Sequence, residues 1–181
     1  MEAVSFNGPQ TDLTMKFSDA EAGYFKTGNI NIEYSEWELK GSENIKIYSR
    51  FSEIDLDKVA GLNLDSQYDE VTVGSAGQVI AISRFSELSF EKINGDFDFD
   101  VEYGEIDVDY IAPSFKTGKV RNTFAGANLS FDPKASMNIE GQALDQKSLR
   151  YALGKHEDAG ELACDCVGFA NARGGTILLG I

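Results

Sequence analysis

The 181-residue chain contains a single histidine and two cysteines, and its 16 basic residues are outnumbered by 30 acidic ones. One imidazole, His156, excludes chemistry that needs a histidine pair. Cys164 and Cys166 stand two apart, which is not the gap of a zinc half-site, and they read as free thiols in a reducing compartment. No run of about 20 apolar residues is present, so no membrane-spanning helix is expected. Met1 to Gln10 lacks the basic start and apolar core of a secretory leader, and as given the chain reads as cytoplasmic. Residues 1–136 carry 12 basic and 24 acidic residues, and 137–181 carry four and six. Neither part has the positive field that holds a phosphate backbone, so nucleic-acid binding is expected to be weak or absent.

Against these shortages stands an internal repeat. Phe17, Tyr34, Phe51, Tyr68 and Phe85 follow one another at intervals of 17 residues, and Tyr103 and Phe124 continue the series at 18 and 21. Two residues after each aromatic comes an acid, Asp19, Glu36, Glu53, Glu70, Glu87 or Glu105; Gly126 breaks the rule. Between aromatics the side chains alternate, as in Ile45-Lys46-Ile47-Tyr48-Ser49-Arg50 and Glu53-Ile54-Asp55-Leu56. A period of two is the mark of a half-buried strand, so each unit reads as strand, tight turn, strand. Asn94-Gly95 and Ala60-Gly61 supply turns between units, and a longer corner is expected near Ala112-Pro113.

A unit this short cannot bury an apolar face alone and must stack on its neighbours. The expected fold is mainly β: a β-solenoid of about seven 17-residue repeats, with the aromatics forming an internal stack along the axis. An antiparallel meander is the alternative, since two strands and a tight turn also describe a hairpin. Stacked acids suggest a calcium column. One acid per 17 residues is sparse for an ion that takes six to eight oxygens, so a solvated or corner-capping role is favoured. Asp96, Asp98 and Asp100 alternate with Phe97 and Phe99 and read as the wet face of a strand.

The succession Ser49-Arg50-Phe51-Ser52-Glu53-Ile54, Ser66-Gln67-Tyr68-Asp69-Glu70-Val71, Ser83-Arg84-Phe85-Ser86-Glu87-Leu88 and Phe131-Asp132-Pro133 resembles uncharacterised bacterial β-repeat proteins of Bacteroidetes with adhesin-head-like character. The resemblance covers residues 12–136. It implies an exported origin and structural or surface-interaction work. No nucleophile, base and orienting group recur together, so no enzymatic activity, cofactor or metal is expected. The aromatics are the repeat-defining structural residues.

From Met137 onward the alternation is lost. Gln142 to Ala172 reads as helix, with His156-Glu157-Asp158 suiting the positive end of a helix dipole. Leu162, Cys166, Phe169 and Ala170 share one face, Gly174-Gly175 ends the helix, and Thr176 to Ile181 reads as a buried strand. This predicts a short, incomplete helix-strand α/β segment over 137–181, joined to a β-repeat domain over 1–136. Val167-Gly168-Phe169-Ala170-Asn171-Ala172-Arg173-Gly174-Gly175, with Gly180 beyond it, resembles the signature of the Schlafen AlbA-type domain. That family is associated with DNA-binding and transcriptional regulation and, in some members, RNA cleavage. The resemblance implies a nucleic-acid surface at Asn171, Arg173, Gly174 and Gly175. At the positions of the family's metal-binding acids this chain has Lys147 and Ala152, which argues against cleavage. The change of pattern at a methionine suggests a fusion of two incomplete proteins. The favoured function is a non-enzymatic scaffold or surface-interaction protein with an unknown protein or surface ligand. The alternative is an AlbA-type nucleic-acid-binding protein.

Overall fold

The computed structural model describes residues 8–135, 138–144 and 178–179. All regular structure among them is strand: β1 (Gly8–Lys16), β2 (Asp19–Glu33), β3 (Glu36–Arg50), β4 (Glu53–Gln67), β5 (Glu70–Arg84), β6 (Glu87–Ile93), β7 (Phe97–Glu102), β8 (Glu105–Ile111), β9 (Thr117–Thr123), β10 (Gly126–Phe131), β11 (Asn138–Leu144) and β12 (Leu178–Leu179). Every pairing is parallel; from β1 to β6 residue i of one coil faces residue i+17 of the next, as in Glu36↔Glu53 and Ile47↔Leu64, and the later ladders step by 18 and then 21, as in Val79↔Phe97 and Phe97↔Gly118. The chain is therefore a β-solenoid of about seven turns with repeats of about 17 residues, and the antiparallel meander is excluded.

Strands β2 to β5 are 15 residues long and each makes almost a whole coil, bending in the middle without leaving the ladder. Ala60-Gly61 lies at such a bend inside β4. In the later coils the bend opens and each coil becomes two strands, β6 with β7 and β8 with β9. Asn94-Gly95 falls in the first gap, and residues 112–116 form the second, the longer corner expected beside Pro113. These two gaps absorb the extra residues of the 18- and 21-residue intervals. Asp96 holds the longer corner by accepting hydrogen bonds from the Lys116 and Thr117 amides at 2.6 and 3.0 Å, and those bonds lower its carboxyl below the usual Asp range. Asp98 and Asp100 face outward as expected and are met by Arg121 at 3.0 and 3.2 Å.

Alternation sends Ile, Leu, Val and a few large aromatics into a single axial core. Trp37, Phe25, Phe90 and Phe99 are its bulkiest fully buried members. Two of the larger rings fit because a glycine leaves them room: a Cβ on Gly28 would collide with the Phe25 ring, and one on Gly118 with the Phe97 ring.

Two expectations are corrected. The recurrent aromatics do stack along the axis, but on the outside: Phe51, Tyr68, Phe85, Tyr103 and Phe124 are 44–45% exposed and Phe17 is 77% exposed. All seven have left-handed backbones, with φ between 52° and 59°. That conformation breaks the alternation, so Arg50 and Phe51 both face outward and Ser52 then turns inward. The second correction concerns Gln142 to Leu144. They continue strand β11, which pairs with β9 from Asn138↔Thr117 to Leu144↔Thr123, instead of starting a helix. The rest of the expected helix lies outside the described residues. Leu178 and Leu179 are strand, paired with Gln142 and Ala143.

Candidate functional site

Each coil turns at its aromatic residue, and the left-handed backbone there costs a residue with a Cβ about 1–2 kcal/mol. Glycine or asparagine would meet that geometry more cheaply, so the rings answer some other need. Part of it is visible. Successive rings from Phe17 to Phe124 lie 4.9–5.3 Å apart with planes within 8° of parallel, forming one continuous offset stack of seven. Phenylalanine and tyrosine alternate strictly along it, at Phe17, Tyr34, Phe51, Tyr68, Phe85, Tyr103 and Phe124. Phe51→Ala should weaken the fold by removing two ring contacts while keeping the Cβ penalty. Phe51→Gly should be more stable than Phe51→Ala by about 1 kcal/mol in urea melts, with both below the parent chain. Equal stability of the two would show that the corner carries no backbone strain.

Beneath the rings runs a buried polar ladder that alternation alone did not disclose. Ser35, Ser52, Asp69 and Ser86 follow the aromatics and point inward. The Ser18 amide donates to Ser35 Oγ at 3.1 Å, the Ser35 amide to Ser52 Oγ at 3.3 Å, the Ser52 amide to Asp69 Oδ1 at 2.8 Å and the Asp69 amide to Ser86 Oγ at 3.0 Å. Each serine hydroxyl in turn donates to the carbonyl two residues back, as Ser52 does to Arg50 at 2.9 Å. The unusual rung is Asp69. Its Oδ2 accepts from Ser49 Oγ at 2.6 Å, Ser66 Oγ at 2.8 Å and the Gln67 amide at 2.9 Å. Burial pushes its carboxyl above the ordinary Asp value, against the pull of those four hydrogen bonds. Two coils on, past Ser86, Gly104 stands at the ladder position, and Ser83, the counterpart of Ser49 and Ser66, has a buried hydroxyl without a hydrogen-bond partner. The signal for this ladder was present in the sequence: a small or polar residue after every aromatic.

Beside the rings lie the carboxylates. Register places Asp19, Glu36, Glu53, Glu70, Glu87 and Glu105 in one row, all exposed. Like charges at this interval repel, and the Glu53 carboxyl is raised above the usual Glu value first by Glu36, with burial, Glu70 and Asp55 adding less. Glu21, Glu38 and Asp55 begin a second row on the same face, which Thr72 and Ser89 continue as far as Asp107. Lys40 answers part of this charge, 3.4 Å from Asp57 and 3.9 Å from Glu38. Ring row and acid row are the two walls of an open groove of about 560 Å³, with Ser35 and Ser52 between them. Among the described residues, no group of three or more His, Cys, Asp or Glu is placed to hold one metal ion.

The opposite arm of the coil is different in character. Its outward side pairs charges, Lys16 with Glu33 at 2.7 Å and Arg84 with Glu102 at 3.4 Å, and exposes Ile80 and Ile82. A smaller groove of about 360 Å³ there is lined mainly by neutral residues such as Asn29, Asn44, Asn63 and Gln78.

Asn171, Arg173, Gly174 and Gly175, the nucleic-acid surface implied by the AlbA-type resemblance, lie outside the described residues, as do His156, Cys164 and Cys166. Asp132 of the Phe131-Asp132-Pro133 motif closes a turn, accepting from Tyr110 Oη at 2.6 Å and the Lys134 amide at 2.7 Å. Among the described residues no helix is long and apolar enough to cross a membrane. Comparison of the chain with protein-family models, curated proteins and solved structures finds no match.

Proposed function

We propose that the protein is a non-enzymatic β-repeat scaffold that works through its outer surface, and that its working face is the acidic arm bordered by the ring ladder. The observation that supports this most directly is the set of seven large aromatic side chains kept exposed at backbone positions that penalise them. Strain maintained at seven consecutive corners keeps the rings in one regularly spaced row. A predominantly acidic face of that kind attracts cationic partners and repels anionic ones.

The test compares retention on amine-coated beads as salt is raised. In one variant the face is neutralised by Glu36→Gln, Glu53→Gln and Glu70→Gln. A control of equal net charge carries Asp12→Asn, Glu43→Gln and Asp65→Asn, outside the ring-and-acid groove. The face variant should elute at distinctly lower salt than the control. If the two elute together, net charge alone drives retention and the proposed working face is wrong.

A further inference from the structure

We propose that the groove between the ring ladder and the carboxylate row binds a linear aliphatic polyamine with three-carbon spacers, an inference that rests on the acidic arm being the working face. The groove is walled by Tyr34, Phe51 and Tyr68 on one side and by Glu36, Glu53 and Glu70 on the other. It runs along the solenoid axis, and its rungs repeat closely, the ring planes turning by only 5° from Tyr34 to Phe51 and 1° from Phe51 to Tyr68. The rungs are 4.9 Å apart at the rings Tyr34, Phe51 and Tyr68. The parallel register carries the same interval to the acids.

That interval selects the ligand. Two ammonium groups joined by three methylenes are four bonds apart, and an extended chain advances about 1.25 Å per bond, so the charges recur at about 5 Å. A four-carbon spacer advances about 6 Å and loses step with the rungs by over 1 Å per charge. Lysines on one side of an extended peptide recur at about 6.6 Å and lose step faster. The methylenes, meanwhile, lie against the ring wall, where apolar contact is favourable and ammonium groups are not required to reach the ring faces already covered by neighbours. A divalent metal suits the groove less well, since a single row offers one carboxylate per rung whereas calcium takes six to eight oxygens. The repulsion that raises the Glu53 carboxyl is the charge such a ligand would relieve.

The test is calorimetric and NMR titration of the full chain with two amines of equal charge, bis(3-aminopropyl)amine and bis(4-aminobutyl)amine, at neutral pH and low salt. The first should bind about fivefold tighter, a difference of about 1 kcal/mol spread over three ion pairs. Its affinity should fall in the Glu36, Glu53 and Glu70 variant and hold in the Asp12, Glu43 and Asp65 control. Shift changes should centre on Tyr34, Phe51 and Tyr68. Equal affinity for the two amines, or binding unchanged in the groove variant, would overturn the proposal. If the amines bind equally while the bead assay still separates the two variants, the acidic working face stands and the polyamine site alone is lost.

Discussion

Replacing Asp69 with alanine should destabilise the chain by on the order of 3–5 kcal/mol, because it strands a buried set of donors. The Ser49 and Ser66 hydroxyls and the Ser52 and Gln67 amides all end on this carboxylate, and the side chain is only 5% exposed. Asp69→Ser should be much milder, since the rungs on either side show what serine does there: it accepts from the amide one coil back and donates to the carbonyl two residues back. Urea unfolding of the two variants separates these outcomes, and equal losses would mean that a serine at this rung does not take over the carboxylate's bonds.

The pH dependence of this rung runs against the habit of carboxylates. Its folded value is raised above 3.8 chiefly by desolvation. A raised acid holds its proton more tightly in the folded state, so its contribution is most favourable below 3.8 and declines as pH climbs through the folded value. Subtracting the Asp69→Ser stability profile from that of the parent between pH 3.5 and 7 should therefore leave a falling curve. A rising curve would reverse the assignment of cause, placing the hydrogen bonds above burial.

Trp37→Ala should cost a similar amount, about 3–5 kcal/mol, by opening a cavity in the axial core. Trp37 is 1% exposed and lies between Ala20 of the preceding coil and Ile54 of the next. Its small neighbour Ala20 cannot fill the space. In a solenoid each coil touches only those beside it, so the damage should stay local. Amide exchange should quicken in β1 to β4 while β5 to β9 keep their protection. Uniform loss of protection would show that the stack unfolds as one cooperative body.

Much of this architecture was legible beforehand. The 17-residue interval and the alternation within each unit pointed to stacked coils, and the wider intervals pointed to the longer corner near Ala112-Pro113, where β8 gives way to β9. The outward placement of Asp98 and Asp100 followed from period two alone. The direction of the rings did not. Counting by twos from Ile45 through Ile47 and Ser49 puts Phe51 in the core, and the left-handed turn at that residue puts it outside. Gln142 to Leu144 were missed for another reason. Their pattern lacks strong alternation, and they are strand because β9 offers a paired edge beside them.

Local chemistry, then, determined the repeat, its length, the strands and the row of acids, because side-chain alternation and residue spacing are properties of the chain itself. Only the tertiary structure decided what the repeats add up to. Parallel register brought residues 17 apart to within 5 Å, converting scattered aromatics into one exposed stack and isolated acids into a mutually repelling row. It also turned four small polar residues into a continuous buried ladder with a carboxylate at its third rung. Those relations are set by the contact between coils, and no single repeat contains them.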